Sequence, residues 1–140
     1  MPVEVALGAG LDVGGLHQPP VTHNVVAVLS AAHAAEHALI GMLPLFAICD
    51  RWDVGGVSMA LHPATGEPTI FVYDGYPGGA GIAELAFDAA DRHLAAAHDV
   101  VAACACEAGC PSCVQSPKCG NWNEFLDKGA AVALMRAMLA

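Results

Sequence analysis

Apolar positions recur at helical spacing in three parts of the chain. Residues 24–46 are rich in alanine, leucine and valine and predict one or two helices, interrupted near Gly41 and Pro44. In residues 82–103, apolar residues recur at alternating spacings of three and four, with acidic residues on the opposite face, which predicts a second helix. The same pattern predicts a last helix over residues 125–139.

Two short segments between the first and second helices have the character of strands. Residues 54–61 form a glycine-containing run, and residues 69–73 are β-branched and aromatic. The seven residues between them carry two prolines and a glycine, so the pair predicts a β-hairpin. The fold class we expect is α+β, with helices flanking a small hairpin.

The first part of the chain has no periodic pattern. Glycines and a Pro-Pro pair interrupt residues 1–22, so we expect an irregular N-terminal segment or linker there. Residues 23–140 are then one domain, as expected for a chain of 140 residues.

The strongest chemical signal is a cysteine cluster that lies between the second and last helices. Five of the six cysteines fall within sixteen residues, in the pattern Cys104-x-Cys106-x3-Cys110-Pro-Ser-Cys113-x5-Cys119. Thiolates at these spacings can converge on one tetrahedral Zn²⁺. Disulfides or buried free thiols are the alternative, but this spacing packs the thiols too tightly for several unstrained disulfides. We therefore expect a zinc loop between two helices.

The sequence favours a reducing compartment. The N-terminus shows no basic segment followed by an apolar core, so no secretory signal is visible. A clustered cysteine motif in the cytosol is typical of metal binding. The longest apolar run is twelve residues, 38–49, and contains Pro44, whereas a membrane span needs about 20 apolar residues. We expect a cytoplasmic protein with no membrane partner.

Composition and charge limit the possible partners. Hydrophobic residues make up 56% of the chain and charged residues 14%, so part of the surface is expected to meet another domain or subunit. The formal net charge is −9, with five Lys and Arg against fourteen Asp and Glu. This balance opposes a phosphate backbone, so nucleic acid is not expected to be the main contact.

Two enzymatic interpretations deserve comparison with the zinc loop. His33-x-x-Glu36-His37 matches the inverted zinc-peptidase motif, in which two histidines four apart bind zinc and the glutamate is a general base. A peptidase also needs a third ligand and a cleft, so we interpret both histidines as packing residues. Cys110-Pro-Ser-Cys113 could be a redox pair, but thioredoxin-type pairs follow a strand rather than a helix.

The loop over residues 74–81 is rich in glycine and connects a predicted strand to a predicted helix. Such loops can present backbone N–H groups to a phosphate. The Walker A and dinucleotide-binding glycine patterns are both missing from it. We expect close packing of backbone rather than nucleotide binding.

Three linked motifs resemble one known family. They are Cys49-Asp50-Arg51-x-Asp53-x-Gly55-Gly56, then Thr69-Ile-Phe-x-Tyr73-Asp74-Gly75-Tyr76-Pro77-Gly78-Gly79-x-Gly81, and last the cysteine cluster with Ser116-Pro117-Lys118-Cys119-Gly120-Asn121-x-Asn123-x3-Asp127-Lys128. Together they resemble the MrfA-type zinc-binding domain, formerly a domain of unknown function, at the C-terminus of superfamily 2 DEAD/DEAH-box DNA helicases. The resemblance covers residues from about His33 to the C-terminus.

That resemblance implies a four-cysteine zinc site appended to an ATP-dependent 3′-to-5′ DNA helicase linked to DNA repair. The family core maps onto Cys104, Cys106, Cys110 and Cys113, while Cys119 belongs to an extension and is an alternative ligand in place of Cys104. The sequence carries no Walker A motif and no DEAD/DEAH box. The resemblance therefore implies a structural and docking module, with no catalysis of its own, that meets a helicase core in cis or in trans and DNA only indirectly.

Overall fold

The computed structural model describes residues 5–8 and 21–140, and their side chains from residue 25 onward. The elements are strand β1 (Val5–Gly8), helix α1 (Val21–Met42), a 3-10 turn (Leu43–Leu45), strands β2 (Val54–Met59) and β3 (Thr69–Asp74), and helices α2 (Ile82–Asp88), α3 (Ala90–Ala103) and α4 (Lys128–Leu139). The α+β class, with helices flanking a hairpin and a cysteine loop between two helices, is confirmed.

The helices differ in detail from those that periodicity predicts. The helix expected over residues 82–103 is divided at Ala89, whose φ of −104° and ψ of 15° leave the helical region. The last helix begins at Lys128, three residues later than expected, because the Asp127 side chain accepts the N–H of Ala130 at 2.9 Å and caps the helix there. Apolar spacing detects the buried face of a helix but not these local interruptions.

The hairpin of β2 and β3 extends into a three-stranded antiparallel sheet. Its strand order is β1-β3-β2, with Val54 opposite Asp74 in one pair and Val5 opposite Val72 in the other. Strand β1 lies within residues 1–22, where the sequence predicts irregular structure, so that expectation is wrong for residues 5–8. Four residues ending in glycine are too short for a period of two to be recognised, and pairing with β3 supplies the stability. The remainder of 1–20 lies outside the described residues, and the boundary at residue 23 stays a prediction.

Helix α1 is the centre of the hydrophobic core. It packs against α3 and α4 on one side and against the sheet on the other. Its buried positions are mostly alanine, which lets neighbouring backbones approach closely, and both Leu39 of the helix and Leu43 of the following 3-10 turn are fully buried. The stretch Val25–Leu45 is long and apolar enough to cross a membrane, but half of its most apolar window is buried inside the protein, as in the core helix of a soluble domain.

The close contact between α1 and β2 depends on a glycine. A Cβ atom at Gly56 would lie 2.7 Å from Oε1 of Glu36 and 2.9 Å from Cδ1 of Ile40, both on α1. Any larger residue would collide with these two side chains, which are buried between the helix and the strand. The glycine that weakens the strand pattern in the sequence therefore allows α1 to lie directly on the sheet.

The glycine-rich loop between β3 and α2 is closed around one carboxylate. Asp74, 8% exposed, accepts the backbone N–H groups of Ala80, Gly81 and Ala83 at 2.8, 3.1 and 2.9 Å. These are the donors that a phosphate would need. Since Asp74 already occupies them, the loop fastens the start of α2 to the sheet, in agreement with the packing interpretation.

A buried histidine joins α3 to α1 and gives the domain a pH dependence. The Nε2–H of His93 donates to the carbonyl oxygen of Leu39 at 2.6 Å, and burial lowers the pKa of His93 below its usual value. The unfolded chain then binds more protons than the folded one as pH falls below about 6.5, so stability decreases there. We expect the free energy of unfolding to fall by up to about 1.4 kcal/mol per pH unit from this group alone.

The matched variant is His93→Gln, which keeps an N–H donor but does not titrate. Chemical denaturation at several pH values between 5 and 7 should give a shallower slope for the variant than for the wild type. Contributions from the cysteine ligands are common to both chains and cancel in the difference. If the free energy of unfolding had the same pH dependence in both chains, protonation of His93 would not be destabilising the domain.

Candidate metal centre

Four cysteine sulfurs meet where the chain leaves α3. The Sγ distances are 3.6 Å for Cys104–Cys106, 3.5 Å for Cys104–Cys110, 3.5 Å for Cys106–Cys113 and 3.8 Å for Cys110–Cys113. Four thiolates on one tetrahedral Zn²⁺ at about 2.3 Å lie about 3.8 Å apart. The spacing and the all-sulfur donor set of this group, which we call the cysteine tetrad, fit zinc without rearrangement.

A tight turn brings the second pair of cysteines to the first. Gly109 has a φ of 126°, and a Cβ atom there would lie 2.7 Å from Cγ2 of Val114, so glycine is required twice over. Beyond it, the N–H of Cys113 donates to the carbonyl of Cys110 at 3.0 Å, with Pro111 inside the turn. The N–H of Cys110 also points at Sγ of Cys113, 3.4 Å away. Backbone donors of this kind stabilise a metal-bound thiolate.

Lys128 lies against the tetrad, although the sequence analysis did not assign it to the metal site. Nζ of Lys128, in the first turn of α4, donates to the carbonyl oxygens of Cys104 and Cys106 at 2.7 and 2.5 Å and lies 3.3 Å from Sγ of Cys106. Four thiolates and one Zn²⁺ carry a net charge of about −2, which the ammonium partly compensates. Lys128 directly follows Asp127, the residue that caps α4, so the start of the helix places its side chain beside the tetrad.

Two thiols of the tetrad, Cys106 and Cys113, differ in acidity. Desolvation acts to raise the pKa of Cys106. Hydrogen bonds from Cys113, Cys104 and Lys128 outweigh this effect and lower the pKa to about 6. Desolvation, together with hydrogen bonding to Cys106, raises the pKa of Cys113 to about 12. Of these two thiols, the thiolate form is therefore favoured at Cys106, which lies nearest the ammonium of Lys128.

Cys119, the fifth cysteine of the cluster, is separate from the tetrad. Its Sγ atom lies 3.7 Å from Nε2 of His33, on α1. Ligand-type atoms of His33, His37 and Cys119 all lie within 4.8 Å of one another. The structure therefore groups Cys119 with the two histidines of the peptidase-like motif, which sequence reasoning treated as packing residues.

The two histidines are held in a defined arrangement on α1. Their ring centroids are 4.3 Å apart, edge to face. Nδ1 of His37 lies 2.7 Å from the carbonyl oxygen of Val114, which can only accept, so Nδ1 carries the proton and Nε2 keeps its lone pair. Burial lowers the pKa of His37 to about 4 and also lowers the pKa of His33, so both rings are neutral at pH 7.

Glu36, the general base of the peptidase interpretation, lies on the wall of a neighbouring cavity. This cavity of about 260 Å³ is also lined by His37, Lys118 and Cys119. The Glu36 side chain is 6% exposed and accepts a hydrogen bond from the hydroxyl of Ser58. Burial raises the pKa of its carboxyl.

A family model described as the MrfA Zn-binding domain matches residues 35–114, more than half of the chain and up to the residue after the tetrad. The chain belongs to this family. The match begins after His33 and ends before Cys119, so two of the three residues of the histidine–cysteine group lie outside it.

The chain is also similar to individual proteins. It is 37% identical over 111 residues to uncharacterized protein MJ1572.1 of Methanocaldococcus jannaschii, covering 77% of this chain and 99% of that protein. It is 45% identical over 87 residues to the uncharacterized ATP-dependent helicase YprA of Bacillus subtilis, covering 62% of this chain and 11% of the helicase. Over 122 residues it is 27% identical to the ATP-dependent helicase HRQ1 of Saccharomyces cerevisiae, covering 80% of this chain and 11% of HRQ1.

The fold comparison agrees with the sequence comparison. A crystal structure of the helicase MrfA bound to DNA matches with a TM-score of 0.67 and 33% identity, covering 81% of this chain and 15% of MrfA. The chain thus spans nearly all of the archaeal relative but only a small part of the helicases, which are its homologues over this domain alone.

Proposed function

We propose that this chain is a zinc-stabilised structural and docking module of an MrfA-type ATP-dependent DNA helicase, with Zn²⁺ held by Cys104, Cys106, Cys110 and Cys113. The observation that carries the proposal is the tetrad itself, with sulfur separations of 3.5–3.8 Å within a domain of a zinc-binding family. Bound zinc would link the end of α3 to the start of α4 and hold both helices against α1.

The segment that follows the tetrad supports a docking role. Trp122 and Phe125 are 87% and 65% exposed and have φ values of 57° and 56°, in the left-handed region that non-glycine residues rarely adopt. Between them, the Asn123 side chain accepts the N–H of Ser116 at 2.7 Å and donates to its carbonyl at 2.9 Å. A strained segment that is fixed in place with its aromatic side chains facing solvent is typical of a surface that another domain covers.

A second exposed apolar segment adjoins the first. Ile48 is fully exposed and Trp52 is 65% exposed, in the connection between the 3-10 turn and β2. Arg51 of this connection and Asn123 line the same shallow cavity of about 340 Å³, so the two segments are neighbours. We call Ile48, Trp52, Trp122 and Phe125 the apolar face and propose that it contacts the helicase core.

The relatives support docking in cis and in trans. In the helicases, the matched domain is about a tenth of a much longer chain, so a motor would be its covalent neighbour. The archaeal relative, by contrast, is matched over nearly its entire length. DNA would be engaged by the complete helicase, with 3′-to-5′ unwinding, a role in DNA repair and a cytoplasmic location as further parts of the proposal.

The docking proposal is tested with the motor region of an MrfA-type helicase from which its own zinc-binding domain has been removed. Isothermal titration with the present chain should give saturable binding. Trp122→Ala should weaken it at least tenfold, since buried tryptophans dominate such interfaces. Phe87→Ala is the matched control, because Phe87 is 63% exposed but lies on α2. Equal effects of the two substitutions, or no binding of the wild type, would contradict the proposed surface.

We expect the isolated chain neither to hydrolyse ATP nor to unwind DNA, and to bind DNA weakly. Its net charge of −9 repels phosphates. Two of its five cations are also engaged internally, because Lys118 donates to the carbonyl of Val54 and Lys128 to the tetrad loop. Fluorescence anisotropy with duplex and tailed DNA at about 0.15 M salt should show no binding below micromolar concentrations. Submicromolar affinity would make DNA a direct partner.

A further inference from the structure

The group formed by His33, His37 and Cys119 is not used by the zinc-module proposal. Its members come from two distant parts of the chain, α1 and the segment after the tetrad, and they meet in the folded domain with ligand-type atoms within 4.8 Å of one another. We infer that these three residues form a second metal site, which binds a divalent transition metal such as Zn²⁺ through two imidazoles and one thiolate.

The spacing of the donor atoms fits a shared ion. With Zn–N at about 2.05 Å and Zn–S at about 2.3 Å, tetrahedral ligands place nitrogen and sulfur about 3.6 Å apart. Nε2 of His33 lies 3.7 Å from Sγ of Cys119. His33 and His37 are four residues apart on one helix, the separation that points two imidazoles at a common ion.

The orientation of His37 provides independent support. Its Nδ1–H donates to the carbonyl oxygen of Val114 at 2.7 Å, which fixes the ring and the tautomer. Metal-bound histidines characteristically donate their second ring nitrogen to a carbonyl or carboxylate in this way. The acceptor follows Cys113 directly in the chain, so the backbone of the tetrad loop orients a ligand of the second site.

Three protein ligands leave a fourth position for an external ligand. His37 and Cys119 both lie on the wall of the 260 Å³ cavity that Glu36 and Lys118 also line. A small anion or a water molecule can therefore complete the coordination from that side. The arrangement is the open three-ligand type, unlike the closed tetrad.

The second metal would attach the segment that follows the tetrad, which carries Cys119, to α1. At present this segment is held by polar contacts: Lys118 donates to the carbonyl of Val54, and the N–H of Asp127 lies 3.3 Å from the carbonyl oxygen of Ser30. A bond from Cys119 through the metal to two residues of α1 would fix the same segment that carries the exposed Trp122 and Phe125.

The test counts metal in the 140-residue chain after equilibrium dialysis against a micromolar zinc buffer. We expect two zinc ions per chain for the wild type and for His62→Gln, whose histidine lies outside both groups. We expect one for Cys119→Ser and for His33→Gln, a twofold loss. Cys119→His, which substitutes one ligand for another, should restore the second ion. One zinc in the wild type, or two in Cys119→Ser, would overturn the inference.

A measurement on the unmodified chain does not depend on how variants fold. In a chain labelled with ¹⁵N at histidine, the first equivalent of zinc should fill the tetrad and fold the domain, and the imidazole nitrogen resonances of His33 and His37 are recorded in this one-zinc state. The second equivalent should shift the Nε2 resonances of both. Imidazole resonances that stay unchanged at excess zinc would also overturn the inference.

Discussion

Removal of zinc from the cysteine tetrad is expected to unfold the domain. Structural zinc contributes roughly 10–16 kcal/mol of apparent binding free energy, as much as or more than the roughly 5–15 kcal/mol that holds a typical domain together. The tetrad follows α3 directly, and Lys128 connects it to α4, so its loss releases both helices from α1. We expect Cys110→Ser, or chelation of the wild type, to abolish the cooperative thermal transition.

The control for this experiment is Cys49→Ser. Cys49 is also half-buried but lies outside both metal groups, so its loss should leave the metal content unchanged and the midpoint of unfolding close to that of the wild type. Circular dichroism during heating, with metal content measured on the same samples, distinguishes the two variants. A metal-free chain that unfolds at the wild-type temperature would contradict the structural role of zinc.

Replacement of Asp74 by alanine is expected to have the second-largest effect. Its buried carboxylate accepts three backbone N–H groups, of Ala80, Gly81 and Ala83, and without it these donors lose their partners at the start of α2. Hydrogen bonds to a charged group contribute about 1.5–3 kcal/mol each, though not additively, so we expect a loss of about 3 kcal/mol. Urea denaturation of the zinc-loaded chain measures it.

Asp91→Ala is the matched control, because Asp91 is an exposed carboxylate in the first turn of α3. Its removal should change the free energy of unfolding by less than about 0.5 kcal/mol. Asp74→Asn should fall between the two, since an amide oxygen still accepts but carries no charge. A loss for Asp74→Ala no larger than that for Asp91→Ala would show that the loop does not depend on its carboxylate.

Much of the fold could be predicted because its elements have strong local patterns. The long alanine-rich helix and the hairpin strands were found within a few residues of their observed ends. The division at Ala89 and the late start of α4 were missed, since backbone dihedrals and a cap at Asp127 decide them. Strand β1 was missed because only its partner β3, more than sixty residues away, makes it a strand.

The part of the candidate site that could be predicted is the part whose residues lie close together in the sequence. The tetrad lies within ten residues, so the motif alone brings the sulfurs near one another. The grouping of Cys119 with His33 and His37 spans 86 residues, and no local pattern connects them. Two signals were nevertheless present: a fifth cysteine beyond the four that zinc needs, and a pair of histidines at helical spacing that lacked a third ligand.

The central claim, that the tetrad holds zinc, is tested most directly by zinc K-edge X-ray absorption on the Cys119→Ser chain loaded with one equivalent of zinc. This variant removes the thiolate of the second group and leaves the tetrad as the all-sulfur site. The account predicts four sulfur ligands at about 2.3 Å and no nitrogen in the first coordination shell. A first shell that contains imidazole nitrogen, or fewer than four sulfurs, would contradict it.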